Sequence, residues 1–365
     1  MQAYRKNKDR IDNKKQFHNV KERSAQNAPK RSLGQNFFTN QTLAERIAQS
    51  VLDSKPSTII EIGPGKGAFT YFFNNKTKNL VLIEKDDTLA KSLQAYFPKA
   101  HIINQDFLEI DLIKEIIDKI NIEKTNNDEI DCVVFGALPY NISKPIIKKC
   151  ITELPSTTMF FIIQKEVADK YCAIHDSNIL NIQSRYFGNF SKIFDIQPGN
   201  FFPRPKVVST LIKFTPYDFL LKSVSELSGK SSISEENRIL AFRNFEKLIF
   251  RAFRSPRKTI KNNLGYNEEV LREINSRYKT TANKYKSTDS ISHNTEKEST
   301  TIPLDSDIEE ENSKTVREFS YKDSLIRYLM LNGSKPRDFD TILKLRPQDV
   351  SLLEFLLLSE AIEKS

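Results

Sequence analysis

Thr58-Ile59-Ile60-Glu61-Ile62-Gly63-Pro64-Gly65-Lys66-Gly67 is the stretch on which the fold turns. Its first half, with Ser57 ahead of it, is β-branched and apolar around one acid, the pattern of a short buried strand. Glycines at alternating positions then let the backbone turn and pass close to a ligand, and a helix is expected over Ala68 to Phe73. Many ordinary turns carry such glycines, so the loop takes its meaning from two strand ends further on. Leu80 to Ile83 ends at Glu84, seventeen residues beyond Gly67, close to the offset of about 20 residues at which a carboxylate meets ribose hydroxyls. His101 to Ile103 is followed by Asp106, which can accept from an exocyclic amine. Either acid alone would read as a solvated loop residue. At successive strand ends they point to a nucleoside-containing cofactor.

A fourth strand, Ile130 to Phe135, stops at Gly136 and delivers Ala137-Leu138-Pro139-Tyr140-Asn141-Ile142-Ser143. Pro139 fixes a turn, Tyr140 offers an aromatic face, and Ser143 can cap a helix starting near Lys144 or Pro145. Thr158 to Gln164 is a fifth apolar strand, and Lys165 to Tyr171 and Ile179 to Phe187 read as helices. Lys192 to Ile196 and Ser209 to Phe214 are later strands, separated by the proline-stiffened loop Phe201-Phe202-Pro203-Arg204-Pro205-Lys206-Val207. Strands alternating with helices imply an α/β fold with a doubly wound, largely parallel sheet and a late hairpin. Ahead of it, the glycine and paired aromatics of Lys30 to Asn40 read as an ordered loop before a helix, Gln41 to Leu52.

The 365 residues carry 56 Lys and Arg against 47 Asp and Glu, a net charge of +9. The excess lies in blocks, at 1–31 and 243–261, which suggests nucleic acid or another anionic surface; solubility alone is the competing reading. Residues 1–30 read as a disordered basic arm, against the alternative of an inert tail. Three cysteines (Cys132, Cys150, Cys172) with no C-x-x-C and no histidine cluster argue against disulfides and a metal site, and for a reducing compartment. No apolar run approaches the ~20 residues of a membrane span. The basic N-terminus lacks an apolar stretch of secretory type, and Asp9, Asp12 and Glu22 argue against a transit peptide.

Beyond about 217 the chain becomes helical, with an amphipathic helix over Phe242 to Phe253 followed by Arg254-Ser255-Pro256-Arg257-Lys258-Thr259-Ile260-Lys261-Asn262-Asn263-Leu264. Those cations can grip a phosphate backbone or simply solvate a helix face. Residues 277–316 are rich in Ser, Thr, Lys, Glu and Asn and read as a disordered insertion. Structure is expected to resume at Ser324 to Leu331 and close with Gln348 to Ile362. The expected domains are thus the arm at 1–30, a cofactor domain at 31–216, and a helical domain at 217–365 interrupted by the insertion.

Taken together, these segments resemble the ribosomal RNA adenine N6,N6-dimethyltransferases of the small subunit, the KsgA type. The resemblance rests on Leu33-Gly34-Gln35-Asn36-Phe37, Glu61 to Gly67, Ile83-Glu84, Gln105-Asp106, Leu138-Pro139-Tyr140-Asn141-Ile142-Ser143, Gln164-Lys165-Glu166-Val167, Phe201 to Val207, Arg257-Lys258-Thr259-Ile260 and Asn263-Leu264. It spans roughly 30–275 and resumes from about 337 to 362. It implies a seven-stranded Rossmann-like sheet with a small helical RNA-binding domain, and S-adenosyl-L-methionine as cofactor. Asn36, Phe38, Gly63, Glu84, Asp106 and Ala137 would bind that cofactor, with Glu84 on the ribose and Asp106 on the adenine amine. Ala137, Leu138, Pro139, Tyr140 and Phe201 would hold the target adenine, Tyr140 and Phe201 by stacking. The implied partner is small-subunit ribosomal RNA in a pre-ribosomal particle, bound by a cytoplasmic monomer with no metal and no membrane.

The chain departs from the family's pattern at Ala137, where the family carries Asn, and at Val208, where it often carries an acid. An adenine amine is a poor nucleophile, and the family's Asn oxygen with a nearby backbone carbonyl turns its lone pair toward the methyl. Ala137 keeps only backbone, and one lost transition-state hydrogen bond costs on the order of 10²–10³ in rate. Two alternatives therefore stand beside the dimethyltransferase: an assembly factor that binds the particle without modifying it, and a methyltransferase of large-subunit RNA.

Overall fold

The computed structural model describes residues 35–112, 114–115, 132–217, 235–286 and 321–363. The arm at 1–30, Leu33-Gly34, the start of the fourth strand at Ile130, and 287–316 lie outside the described residues. The chain divides into two compact units, one running to Cys172 and taking up again at Phe187, the other combining Ala173–Tyr186 with the helices from Glu235 on.

The first unit is built on seven strands: β2 (Thr58–Ile62), β3 (Asn79–Ile83), β4 (His101–Ile103), β5 (Cys132–Ala137), β6 (Thr158–Gln164), β7 (Gly188–Ile196) and β9 (Ser209–Pro216). Their order is β4-β3-β2-β5-β6-β9-β7, with β2 to β6 parallel and β9 antiparallel to both β6 and β7. All of β2 and nearly all of β5 and β6 are buried, so these strands are covered on both faces and read as continuous apolar runs. The chain winds outward from β2 through β3 to β4 and returns to β5 on the other side. This reversal leaves a crevice at the C-terminal strand ends.

Helices α1 (Gln41–Leu52), α2 (Thr70–Phe73), α3 (Asp87–Tyr96), α4 (Ser143–Glu153) and α5 (Lys165–Tyr171) belong to this unit. α1 buries Ala44, Ile47, Ala48 and Val51, the one-sided spacing of an amphipathic helix, and starts where the Asn40 side chain accepts from Leu43 N. Asp86 caps α3 by accepting from the amides of Thr88 and Leu89. Two further two-residue strands, β1 (Phe37–Phe38) and β8 (Phe201–Phe202), pair antiparallel with Phe37 opposite Phe202 and Phe38 opposite Phe201. Thr39 N donates to Asn200 O beside them. A train of rings, Phe201–Phe38–Phe69–Phe135–Phe73, runs from this ribbon into the core with centroids 4.8–5.3 Å apart.

The second unit contains α6 (Ile179–Ser184), α7 (Glu235–Ala252), α8 (Ile260–Leu264), α9 (Glu268–Lys286), α10 (Tyr321–Leu331), α11 (Phe339–Lys344) and α12 (Leu352–Glu363). α12 is apolar almost all round and almost wholly buried. The carboxylate of its Glu354 is taken by Arg337, with Nε and Nη2 each 2.7 Å away.

Several boundaries differ from those expected. The segment 173–186, assigned above to the cofactor domain, clusters with the helical unit. There Tyr186 packs against Phe242, Phe245 and Tyr321, and Gln183 donates to Glu246. The helix expected over Ile179 to Phe187 stops at Ser184, and β7 starts four residues earlier than expected. Residues 277–286, assigned to a disordered insertion, continue helix α9 and bury Tyr278, Ala282 and Tyr285. β5 also runs through Gly136 to Ala137 rather than stopping at Gly136. A side chain at Gly136 would sit 2.6 Å from Leu138 Cδ2.

Candidate active site

A cavity of about 230 Å³ opens at the strand ends of the first unit. Its walls come from β1, the glycine loop after β2, and the segments following β3, β4 and β5, together with Phe201. Asn36, Gly63, Glu84, Asp106, Ala137, Leu138, Pro139, Tyr140 and Phe201, all singled out from the sequence, line it.

Phe38 does not. It is nearly buried and meets Phe201 edge-on at 5.1 Å, supporting that ring from behind. Successive residues of a strand point to opposite faces, so its neighbour Phe37 faces the cavity instead. The Lys66 ammonium sits 4.7 Å over the Phe37 ring on the loop side. Sequence reasoning also missed Gln35, Gly65, Lys85 and Asn141 as cavity residues. Gly65 was within the quoted loop, whereas Lys85 carried no signal beyond standing next to Glu84.

The glycine loop takes left-handed backbone at Gly63 (φ +62°), Gly65 (φ +58°) and Gly67 (φ +74°), which favours glycine at all three. At Gly63 an added Cβ would meet nothing within 4 Å, so the backbone itself borders open space. At Gly65 it would press on the Phe37 ring at 3.2 Å.

Glu84 follows β3 and is 6% exposed. Its Oε2 accepts from Gly65 N at 3.0 Å and its Oε1 from Asp86 N at 2.9 Å, which fixes the carboxylate against the glycine loop. Burial raises its pKa above the ordinary carboxylate value, and the two backbone donors oppose that shift. Asp106 is held differently. Lys85 Nζ lies 2.6 Å from its Oδ2, and Oδ1 accepts from Leu108 N. The hydrogen bond from Lys85 keeps its pKa below the usual value. The apolar residues Ile83, Phe107 and Leu108 line the same cavity. One layer beneath, Glu61 is buried, accepts from Thr70 Oγ1 at 2.6 Å, and is pushed by burial to a pKa of about 8.

On the far side, Ala137 pairs with Ile162 in the sheet, and Leu138 N donates to Ile162 O. The backbone before Pro139 is therefore fixed even though the Ala137 side chain has no polar atom. Tyr140 Oη and Ser209 Oγ are 2.7 Å apart, which ties the half-buried ring of Tyr140 to β9. Val208 contributes its carbonyl, accepting from Lys165 N. Among the described residues no cluster of His, Cys, Asp and Glu has a metal-binding arrangement.

A glycine loop open to a cavity, a buried carboxylate after the second strand of the winding and an acid between apolar walls after the third fit a nucleoside cofactor with an amino-acid tail. The fold and the site together are those of an S-adenosylmethionine-dependent methyltransferase. The family model described as ribosomal RNA adenine dimethylase matches residues 26–296. The chain is 32% identical over 252 residues to the ribosomal RNA small subunit methyltransferase A of Francisella tularensis subsp. novicida, covering 67% of this chain and 85% of that protein. The identity and both coverages are the same for the protein of that name from F. tularensis subsp. tularensis strain WY96-3418. A solved dimethyladenosine transferase from Plasmodium falciparum superposes with a TM-score of 0.52 at 18% identity, covering 88% of this chain and 95% of that one, a likeness of fold. The chain belongs to the ribosomal RNA adenine dimethylase family.

Proposed function

We propose that the chain methylates the N6 amines of adenosines in small-subunit ribosomal RNA, forming N6,N6-dimethyladenosine during ribosome assembly. The observation that carries this reading is the joining, in one cavity, of Glu84 and Asp106 with Leu138, Pro139, Tyr140 and Phe201. S-adenosylmethionine, when bound, supplies an electrophilic methyl group on a sulfonium sulfur. Asn36, Gly63, Glu84 and Asp106 would hold it: Glu84 would accept from the ribose hydroxyls, and Asp106 from the adenine amine. Tyr140 and Phe201 sandwich the target base and exclude water from it, and the Ala137–Pro139 backbone carbonyls accept from its amine. The amine so held would accept the methyl as its bond to sulfur breaks, and would release its proton after the transfer. A second methylation of the same amine would need a second cofactor molecule held by the same residues. The chemistry is positioning, which this fixed cavity supplies.

The basic residues at 1–30 and the helices from Glu235 on would bind RNA, and the protein would work as a monomer in the cytoplasm. No helix among the described residues is long and apolar enough to cross a membrane.

Ala137 favours one second reading, an assembly factor that occupies the same RNA without modifying it. Incubating the protein and S-adenosylmethionine with unmethylated small-subunit particles, then digesting the RNA to nucleosides for mass spectrometry, separates the two. N6,N6-dimethyladenosine is expected. Particle binding with unmodified adenosine supports the second reading instead.

A further inference from the structure

Helix α7 buries Phe242, Phe245, Ile249 and Ala252 on one side. Its other side carries Arg243, Lys247 and Phe250, with Arg254 just past its end, all exposed. At 100° per residue these four fall within about 60° of one another, a single stripe. Arg251 flanks it, its guanidinium 4.4 Å above the Tyr266 ring, and Leu240 is exposed beside its start. Between Asn237 and Arg254 the only acid is Glu246, which is buried and accepts from Gln183. The charged residues of the stripe are therefore all cations.

A row of cations by itself is an ordinary solvated helix face. Phe250 changes the reading: its ring is 51% exposed in the middle of the row, with a cation one turn away on either side. Cations interleaved with an exposed aromatic form a surface for single-stranded nucleic acid, where bases stack on rings while phosphates meet the charges.

We infer that α7 binds an unpaired RNA segment, with one base stacked on Phe250 and the flanking phosphates on Arg243, Lys247 and Arg254. None of these residues lines the cavity, and they form the first part of the 243–261 basic block noted in the sequence, ahead of Arg257 and Lys258. It rests on RNA being the substrate, and it adds a base-stacking position to that reading.

The chain contains no tryptophan, so Phe250→Trp installs a lone fluorescent reporter. Full-length protein is titrated, without cofactor, with a single-stranded RNA oligonucleotide and with an abasic strand of the same length. The indole emission is expected to be quenched saturably by the RNA and not by the abasic strand. Phe250→Ala should weaken RNA binding on the order of tenfold with its salt dependence unchanged. Arg243→Gln with Lys247→Gln should instead lower the slope of log affinity against log salt by about 1.4. Unchanged emission at saturating RNA, or Phe250→Ala binding RNA as tightly as the parent, overturns the inference and leaves the ring to a protein partner. No methyl transfer is read, so failure here is distinct from failure of the proposed activity.

Discussion

At one end of the cavity Glu84 and Asp106 have each oxygen engaged, by the amides of Gly65, Asp86 and Leu108 and by the Lys85 ammonium. At the other end Ala137 presents a methyl group, with Tyr140 and Phe201 also lining the cavity. The two ends grow from parallel strands on either side of β2, yet one is dense in fixed acceptors and the other has no side-chain acceptor at Ala137. In the proposed reading, binding and turnover are carried by different residues, and each can be perturbed without the other.

The largest effect is expected where the poor end is enriched. Ala137→Asn restores a side-chain acceptor and should raise the single-turnover methyl-transfer rate on the order of 10²–10³-fold with little change in cofactor affinity. An unchanged rate would show that backbone groups already compensate. Stripping the rich end should act on binding instead. Glu84→Ala removes a carboxylate held by two amides, and hydrogen bonds to charged groups contribute about 1.5–3 kcal/mol. Cofactor affinity by calorimetry is expected to fall on the order of 10- to 100-fold. Because burial raises the Glu84 pKa, affinity in the parent should begin to fall at a pH above the ordinary carboxylate range. A pH-independent affinity across that range would break the contrast.

Glu61 tests the layer beneath the rich end through stability. Its pKa rises from 4.5 to about 8 on folding. Below pH 4.5 both states are protonated and the burial carries no ionisation penalty. Between 4.5 and 8 the unfolded chain ionises while the folded one stays protonated, so stability falls as pH rises and levels off above 8. Glu61→Gln removes that loss, so its advantage in Tm over the parent should grow from pH 5 to pH 8. An advantage independent of pH would contradict the assignment. The smallest effect belongs to Tyr140→Phe, which breaks the contact with Ser209 Oγ. A neutral hydrogen bond contributes about 0.5–1.5 kcal/mol, so kcat/KM for RNA should drop by about tenfold or less, with cofactor affinity unchanged.

The rich end was largely legible in the sequence because its parts are local. Strand, glycine loop and acid follow one another, and burial forces the strands into apolar runs. The Phe37–Phe38 pair was not, since a strand of two residues has no alternation to read and only its pairing with Phe201–Phe202 sets which ring faces inward. The placement of 173–186 was hidden for another reason. Tyr186 meets Phe242 and Tyr321, contacts between residues far apart in sequence that no local pattern announces. In α9 the signal was present but faint: Leu271, Ile274, Tyr278, Ala282 and Tyr285 keep helical spacing within a background of Ser, Thr, Lys and Asn.

Under the proposed function the cavity both binds S-adenosylmethionine and transfers its methyl group despite Ala137. Equilibrium cofactor binding and single-turnover transfer of labelled methyl to unmethylated small-subunit particles, measured on one preparation of the parent protein, test it directly. Saturable binding with transfer to adenosine N6 is the result predicted. Saturable binding with no label above background in the RNA would contradict it.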